Sequence, residues 1–519
     1  MYLTQGLHRA VQQRPEAVAT VFGPRRTTFS ALVDRVSRLA GAFARLGVSG
    51  GDRIALLAHN SDRYVEGLLA AWWLGAAACP LNTRWSAPEI AYALNDCGTR
   101  LLVVDDAFVP MLAELKRQVP HLGAVVHAGE QAAGPGLLAW KTLIANGEPL
   151  EDARPGVDAL AAILYTGGTT GTPKGVMLSH ANFWVSSVAR MAEVPNPADG
   201  VTLLVAPLFH VAGLGRLVSQ VVTASTSVLL PAFRAEAVLA TLHDEQVRDV
   251  VLVPSMLQML LDHPSFADAD LHRLERIIHG ASPISPGLLE RAMKALPNCG
   301  FQSAYGMTEA AATVCSNGPY RWREGAALQS RELAAGRPCY GNEVRIVDAE
   351  GRELPRNQVG EVTVRGANVM PGYWNKPEET RAALRDGWLH TGDGGFMDEA
   401  GYVHIVDRVK DMIISGGENV YSAEVEGVLS RHPAVAACAV IGIPSATWGE
   451  AVHAIVVVRP GAAAIEEEAL RAHCRLALAG YKCPKTIEFR DALPLSSAGK
   501  VLKTVLREPF WGSGARQVN

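Results

Sequence analysis

Short apolar segments alternate with helical patterns along most of this chain, and this alternation limits the possible folds most strongly. Helical spacing of apolar residues marks 30–46, with Ser30 as a suitable N-cap, and also 234–246 and 286–296. Apolar runs bounded by Gly, Pro, Asn or Asp lie before and between the later helices: IALLA from Ile54, LLVV from Leu101, TLLVAPL from Thr202, SVLLP from Ser227 and VVLVP from Val250. The alternation predicts parallel sheets covered by helices.

The pattern changes after about Glu361, where EVTVRG and GYVHIV indicate shorter strands, some of them antiparallel. From Asp411 onward, two helical segments (423–430 and 466–479) alternate with the strand-like runs CAVIGI, HAIVVV and KTIEF. We therefore predict an α/β protein in two domains. Residues 1–407 form a large domain of parallel-rich sheets with a β-rich subdomain, and residues 408–519 form a small α+β domain.

Composition excludes several classes of protein. The chain has 48 Lys and Arg against 52 Asp and Glu, a net charge of −4, whereas nucleic-acid-binding faces are strongly basic. The longest apolar stretch, Gly67–Cys79, is shorter than the ~20 residues that span a bilayer, and the N-terminus lacks the apolar core of a signal peptide. The eight cysteines form no CxxC pair. These features favour a reduced, cytoplasmic protein with no membrane span and no nucleic-acid partner.

The segment from Tyr165 to His180, YTGGTTGTPKGVMLSH, carries the strongest chemical signal. Its closely spaced glycines let backbone N–H groups turn toward one point, its threonines add hydroxyl donors, and Lys174 adds a positive charge. These are the components of a phosphate-binding loop. It is not the P-loop of kinases and ATPases, because Gly175 follows Lys174 where that motif has Ser or Thr.

This segment resembles the phosphate-binding loop of the adenylate-forming (AMP-binding) superfamily, which includes acyl-CoA and aryl-CoA synthetases. Six further motifs follow in family order: PLFHVAGL (207–214), GAS (280–282), YGMTE (305–309), TGD (391–393), DRVKDMIISGGENVYSAEVE (407–426) and PLSSAGKVLK (494–503). The chain departs from the family at Gly168, where many members have serine. The resemblance covers nearly the whole chain and is greatest to fatty-acid or aryl-acid CoA ligases, which implies a role in fatty acid metabolism.

The resemblance implies that a carboxylic acid attacks the α-phosphate of ATP, releasing pyrophosphate, and that coenzyme A then displaces AMP. Lys174, Glu309 and Lys500 would be catalytic, with Glu309 as the ligand of Mg²⁺; apart from the motif, Glu309 could simply be an acid at a helix N-terminus. Asp393 would bind the ribose and Arg408 the ribose or a phosphate. The remaining predicted ATP contacts are Thr166, Gly167, Gly168, Thr169, Thr170, Gly171, Gly280, Ala281, Ser282, Ser303, Ala304, Tyr305, Gly306 and Thr308.

The acyl pocket would contain His210, Val211, Ala212 and Gly213. Arg216 is interpreted as a charge on the helix surface, with contact to a second substrate carboxylate as the alternative. Lys410 would be the hinge of a mobile C-terminal domain that brings Lys500 to the acyl phosphate, whereas Lys503 is interpreted as a solvated tail residue. The predicted coenzyme A site comprises Gly416, Gly417, Trp448, Tyr481, Lys482 and Lys485, although such an aromatic and basic cluster is as often a solvated face.

Three functions therefore stay open. The first is an acyl- or aryl-CoA synthetase, and the second is an adenylating enzyme that passes its acyl group to a carrier protein or acts as a luciferase-like oxygenase. The third is a catalytically inactive, nucleotide-binding homologue, against which the joint presence of Lys174, Glu309, Asp393, Arg408 and Lys500 counts. The sequence leaves open both the identity of the acid and a homodimeric assembly.

Overall fold

A computed structural model describes residues 1–166, 173–196, 199–325, 328–408, 411–416, 418–445, 447–462, 465–496 and 499–511. The strands are β1 (Val18–Phe22), β2 (Arg25–Thr28), β3 (Arg53–Leu57), β4 (Ala77–Pro80), β5 (Leu101–Val104), β6 (Ala124–His127), β7 (Leu138–Ala139), β8 (Leu160–Thr166), β9 (Lys174–Ser179), β10 (Val201–Leu204), β11 (Thr226–Leu229), β12 (Asp249–Leu252), β13 (Arg276–Gly280), β14 (Gly300–Tyr305), β15 (Cys315–Tyr320), β16 (Arg337–Pro338), β17 (Asn342–Val347), β18 (Gly360–Gly366), β19 (Gly372–Tyr373), β20 (Leu384–Arg385), β21 (Trp388–Met397), β22 (Val403–Arg408), β23 (Ile413–Ser415), β24 (Glu418–Val420), β25 (Val435–Ser445), β26 (Gly449–Val458) and β27 (Thr486–Phe489).

The helices are α1 (Gln5–Gln13), α2 (Phe29–Arg45), α3 (Asp62–Trp73), α4 (Ala87–Cys97), α5 (Leu112–Gln118), α6 (Trp140–Ala145), α7 (His180–Glu193), α8 (Val211–Thr223), α9 (Ala235–Asp244), α10 (Pro254–Leu261), α11 (Pro286–Ala295), α12 (Ser330–Leu333), α13 (Pro377–Ala383), α14 (Ser422–Leu429), α15 (Glu467–Arg475) and α16 (Lys503–Trp511). Within the described residues, no helix is both long and apolar enough to cross a bilayer.

Two large sheets dominate the first four hundred residues. One has the order β16-β15-β14-β13-β12-β10-β11-β1-β2 and the other β19-β9-β8-β4-β3-β5-β6-β7. Their central neighbours pair in parallel, as in β12 with β13 and β13 with β14, and the antiparallel pairs lie toward the ends, as in β14 with β15 and β8 with β9. The five apolar runs noted in the sequence fall on β3, β5, β10, β11 and β12.

Two smaller sheets complete the fold. One has the order β17-β18-β21-β20 with β22 beside β21, and the other β24-β23-β26-β25 with β27 beside β26. A separate apolar cluster lies beneath the last sheet and includes Val425, Val440, Val452 and Leu470. The predicted class, parallel-rich sheets with helices, a β-rich subdomain and an α+β unit, is confirmed. The boundary between 407 and 408 and the mobility of the last unit stay predictions.

The main core explains why α3 forms where it does. All twelve of its residues are buried, including Glu66. Arg35 Nε and Trp140 Nε1 donate to that carboxylate at 2.6 and 2.9 Å, so the buried charge is paired. The predicted cap of α2 is wrong: the helix begins two residues earlier than Ser30 implies, because the Thr28 hydroxyl accepts from Ala31 N–H.

Candidate active site

The β8–β9 hairpin places the two ends of the predicted phosphate loop side by side. Thr166, the last residue of β8, pairs with Lys174, the first of β9. The Tyr165 hydroxyl donates to Asp96 Oδ2 at 2.7 Å, which ties the hairpin to α4. The predicted contacts Gly167, Gly168, Thr169, Thr170 and Gly171 lie outside the described residues and stay predictions.

Tyr373 joins the two charged groups that the sequence assigned to phosphates and metal. Lys174 Nζ lies 5.3 Å from the centroid of its ring, and its hydroxyl donates to Glu309 Oε1 at 2.9 Å. Burial and the Glu309 carboxylate raise the pKa of Tyr373, so the hydroxyl keeps its proton at neutral pH. Glu309 itself is only 9% exposed and lies in the 3-10 turn Thr308–Ala310. The structure thus brings Lys174 and Glu309 together around one aromatic ring.

The predicted adenosine contacts meet at the carboxyl ends of β13 and β14. Gly280 pairs with Ala304, and a Cβ on Gly280 would lie 2.2 Å from the Ala304 carbonyl oxygen. Ala281 has a φ of 65° and turns the chain sharply out of the sheet toward Ser282. This edge of a parallel sheet is where open α/β sheets bind ligands. The strand ends carry six of the predicted contacts: Gly280, Ala281, Ser282, Ser303, Ala304 and Tyr305.

Asp393, the predicted ribose ligand, is held at this same edge. The Tyr305 hydroxyl donates to Asp393 Oδ2 at 2.7 Å, and Asp393 N–H donates to Thr391 Oγ1 at 3.1 Å. Asp393 is 6% exposed, and burial together with its charge raises the pKa of Tyr305. Tyr305 therefore positions the Asp393 carboxylate through its hydroxyl. The backbone of Arg408 pairs with Asp393 across β21 and β22.

The next residue, Gly306, lies where only glycine fits. A Cβ there would lie 1.9 Å from the Ala312 carbonyl oxygen. The close approach fixes the path of the chain from Tyr305 to Thr308, and with it the position of the 3-10 turn.

The predicted acyl pocket surrounds the start of α8. His210 is the N-cap residue, and its ring centroid lies 4.5 Å from that of Phe209. Val211 and Ala212 are half-buried, and Gly213 allows close contact because a Cβ would lie 2.3 Å from the Pro207 carbonyl oxygen. Burial, reinforced by the positive charges of Lys500 and Arg84, lowers the pKa of His210 to about 4. The ring is therefore neutral at physiological pH.

The loop that carries Lys500 lies against the large sheets. Arg84 Nη1 donates to the Ser496 carbonyl at 3.2 Å, and the Ser255 hydroxyl donates to the Gly499 carbonyl at 3.4 Å. The positive charge of Lys500 also helps to lower the pKa of His210 in the predicted acyl pocket. Lys503 is not a solvated tail residue: its ammonium group pairs with Glu426 Oε1 at 2.8 Å and also binds Ser422.

Four of the predicted coenzyme A residues form two aromatic–cation pairs. Lys485 Nζ lies 5.4 Å from the Trp448 ring and Lys482 Nζ lies 5.8 Å from the Tyr481 ring. A Cβ on Gly416, whose φ is 63°, would lie 3.1 Å from the Trp448 ring. Gly417 and the predicted hinge Lys410 lie outside the described residues, and their roles stay predictions.

The structure corrects one expectation from the sequence and adds two residues to the site. Arg216 is not a surface charge, because its guanidinium is buried and paired with Asp249, which is an interaction across the core. Tyr373 and Arg84 were missed entirely. Their contacts with Glu309 and Ser496 span 64 and 412 positions, which no local periodicity reveals.

Comparison with known proteins places this geometry in a family. Residues 7–374 match the AMP-binding enzyme family and residues 424–500 match the AMP-binding enzyme C-terminal domain. A fatty acid–acyl-carrier-protein ligase of Streptomyces coeruleorubidus is 38% identical over 98% of this chain and 96% of its own length. A feruloyl-CoA synthase of an Amycolatopsis species is 39% identical over 97% of this chain and 98% of its own.

Solved structures agree with these matches. The crystal structure of an anthranilate CoA ligase in complex with anthranoyl-AMP superimposes with a TM-score of 0.91 at 28% identity, covering 98% of this chain and 97% of that one. The predicted enzyme class, an AMP-forming acid–thiol ligase, agrees with the CoA ligases and synthetases among the relatives. The chain belongs to the AMP-binding enzyme family, within the adenylate-forming superfamily.

Proposed function

We propose that this protein activates a carboxylic acid with ATP and transfers the acyl group to the thiol of coenzyme A. The observation that supports this most strongly is the placement of Lys174 and Glu309 around the Tyr373 ring, together with the hydrogen bond from Tyr305 to Asp393. A cation, an acid for a metal and an acid for a sugar diol are what a bound nucleoside triphosphate requires.

In the first step a carboxylate oxygen of the acid attacks the α-phosphorus of ATP. The bond from that phosphorus to the β-phosphate oxygen breaks, so pyrophosphate leaves and an acyl-adenylate forms. Negative charge accumulates on the oxygens of the transferred phosphate, where positively charged groups and N–H donors lower the barrier. We assign this role to Lys174, to Lys500 and to the 166–171 loop. Neutral His210 would line the acyl side, in a pocket suited to an aliphatic or aromatic acid.

Magnesium fits this site as a phosphate-bound ion rather than one enclosed by protein. Among the described residues, no group of three or more His, Cys, Asp or Glu side chains could hold a metal. Glu309, nearly buried with one oxygen occupied by Tyr373, offers a single carboxylate. Mg²⁺ favours one or two carboxylates completed by phosphate oxygens and water. When bound, it would neutralise charge on the leaving pyrophosphate.

In the second step the thiol sulfur attacks the acyl carbonyl carbon, the bond from that carbon to the AMP oxygen breaks, and the thiol proton passes to solvent. We assign the coenzyme A site to Gly416, Gly417, Trp448 and Tyr481 with Lys482 and Lys485. The exposed rings of Trp448 and Tyr481, each with a lysine nearby, suit a nucleotide with phosphates. Rotation of the small domain about Lys410 would move Lys500 out of the active site and bring the proposed coenzyme A residues to it.

A carrier-protein thiol is the second candidate acceptor. It is favoured by the similarity to the Streptomyces acyl-carrier-protein ligase. Leu476, at the end of α15 in the small α+β unit, is 87% exposed and offers an apolar contact for a protein partner. Cytoplasmic location and a role in fatty acid metabolism complete the proposal.

The decisive experiment measures pyrophosphate, AMP and ADP while a panel of acids from acetate to cinnamates is supplied with ATP and Mg²⁺. We expect acid-dependent pyrophosphate and AMP, and thioester only when coenzyme A is present. Thioester formed only with a phosphopantetheinylated carrier protein would select the second candidate. ADP formation, or no turnover with any acid, would contradict adenylation. Lys294→Ala, at an exposed lysine of α11, is a matched control for Lys174→Ala, which should lose activity.

A further inference from the structure

Three arginines lie buried together away from the nucleotide edge. Arg190 comes from the last turn of α7, Arg216 from the second turn of α8, and Arg276 from the first residue of β13. They are 6%, 3% and 7% exposed. Because a guanidinium stays charged in proteins, three such groups in one interior region require compensating negative charge.

Only one carboxylate among the described residues pairs with this cluster. Arg216 and Arg276 both bind Asp249, which lies at the start of β12. Their other partners are neutral: the Thr202 hydroxyl accepts from Arg216 at 2.9 Å, and Asn196 Oδ1 accepts from both arginines at 3.1 and 2.9 Å. Three positive charges against one negative charge leave an excess of two in a buried region.

Among the described residues, each arginine of the cluster has an unmatched buried donor, namely Nε of Arg216, Nε of Arg276 and both Nη atoms of Arg190. Arg190 thus has two such donor atoms. Its helix, α7, packs against α8, which carries Arg216. Burial, followed by the charges of Arg216 and Arg276, lowers the pKa of Arg190. Burial raises the pKa of Asp249, but the three arginines, Arg190 included, lower it overall. A buried guanidinium with two free donor atoms beside an already shared carboxylate is an anion-binding arrangement.

We propose that Arg190, Arg216 and Arg276 form a binding site for a carboxylate or a similar oxyanion. The position on α8 suggests one source for it. Ala212, in the proposed acyl pocket, precedes Arg216 by one turn on the same helix face, a rise of about 6 Å along the axis. A second carboxylate on the far end of the acid would enter the cluster from that side. The other source is a free small anion. The hypothesis that the anion is a second carboxylate of the acid substrate rests on the proposed function, whereas the anion site itself does not.

The test of the site uses the full-length protein without ATP or acid. Thermal unfolding is followed in chloride, phosphate and succinate at fixed ionic strength, for the parent, for Arg190→Met and for Arg234→Met, which removes an exposed arginine at the N-cap of α9. We expect at least one anion to raise the unfolding midpoint of the parent and of Arg234→Met. Arg190→Met should fold, because it removes an unpaired buried charge, and should lose that response. Equal responses in all three proteins, or none in the parent with any anion or dicarboxylic acid, would overturn the proposal.

Pyrophosphate release separates the two sources. Dicarboxylic acids are compared with monocarboxylic acids of equal chain length. If the acid supplies the anion, the parent prefers dicarboxylic acids, and Arg190→Met loses that preference by about 10- to 100-fold in kcat/KM while its rate with monocarboxylic acids is kept. If a free anion fills the site, stabilisation by that anion is seen without such a preference. Failure of the proposed function is distinguishable, because it removes pyrophosphate release with every acid and leaves the anion-dependent unfolding shift in place.

Discussion

Replacing Tyr373 by phenylalanine removes one hydroxyl and leaves the ring beneath Lys174. The lost group is the donor to Glu309 Oε1 at 2.9 Å, in a site where the carboxylate is only 9% exposed. Hydrogen bonds to charged groups contribute about 1.5–3 kcal/mol, which corresponds to roughly a 10- to 150-fold change. Loss of a partner that orients a metal ligand has a similar cost, about 10- to 100-fold in affinity or activity.

We therefore expect Tyr373→Phe to need about 10- to 100-fold more Mg²⁺ for half-maximal pyrophosphate release. The assay titrates Mg²⁺ at fixed ATP and acid, and a parallel unfolding measurement checks that the variant is folded. Tyr340→Phe is the matched control, because it removes the hydroxyl of a tyrosine that is 66% exposed. If Tyr373→Phe keeps the Mg²⁺ dependence of the parent within twofold, the hydroxyl does not orient Glu309 and the assignment of that carboxylate to the metal loses its support.

Three further experiments test other parts of the molecule. Lys500→Ala should slow acyl-adenylate formation by ~10²–10³-fold and spare thioester formation from preformed acyl-adenylate. Lys410→Pro should spare acyl-adenylate formation and impair thioester formation. Equal loss of both steps in both variants would refute domain alternation. Burial lowers the pKa values of His180, His210 and His279 to about 4. In the unfolded chain these histidines have a pKa near 6.5, so as the pH falls the unfolded state binds protons before the folded state does. The free energy of unfolding measured in urea should therefore decrease as the pH drops from about 6.5 toward 4. Gly306→Ala should lower the unfolding midpoint and activity together, since its Cβ would clash with the Ala312 carbonyl oxygen, and unchanged values would show that this turn adapts.

Local patterns predicted the strands and failed where partners lie far apart. The run LLVV from Leu101 forms β5, and all four of its residues are buried. Its continuous apolar composition already indicates a buried strand. Ser30 was misplaced as a cap because Thr28 lies only two positions away and also has a hydroxyl group. Arg216 was misjudged because its carboxylate partner, Asp249, lies 33 positions away on a different strand.

The residues of the proposed ATP site follow from the order of the motifs, but the hydrogen bonds between them do not. The resemblance predicts functional roles for Glu309 and Asp393, but neither periodicity nor spacing indicates which hydroxyl each carboxylate accepts from. Those bonds, from Tyr373 and Tyr305, span 64 and 88 positions and depend on how β19 and β21 lie beside the strand ends. Such contacts are set by the assembled sheets, since each strand alone carries only an alternating or continuous apolar pattern.

The contacts between the Lys500 loop and the large sheets bear on whether the C-terminal segment can be exchanged between related proteins. In the described contacts, Arg84 and Ser255 bind the main-chain carbonyls of Ser496 and Gly499, groups that every residue type supplies. Recognition therefore depends on the course of the loop backbone, including the φ of 74° at Gly499, more than on its side chains. A terminal segment transplanted from a relative with the same loop path should dock on this body without matching substitutions, so the two parts are free to diverge in sequence at different rates.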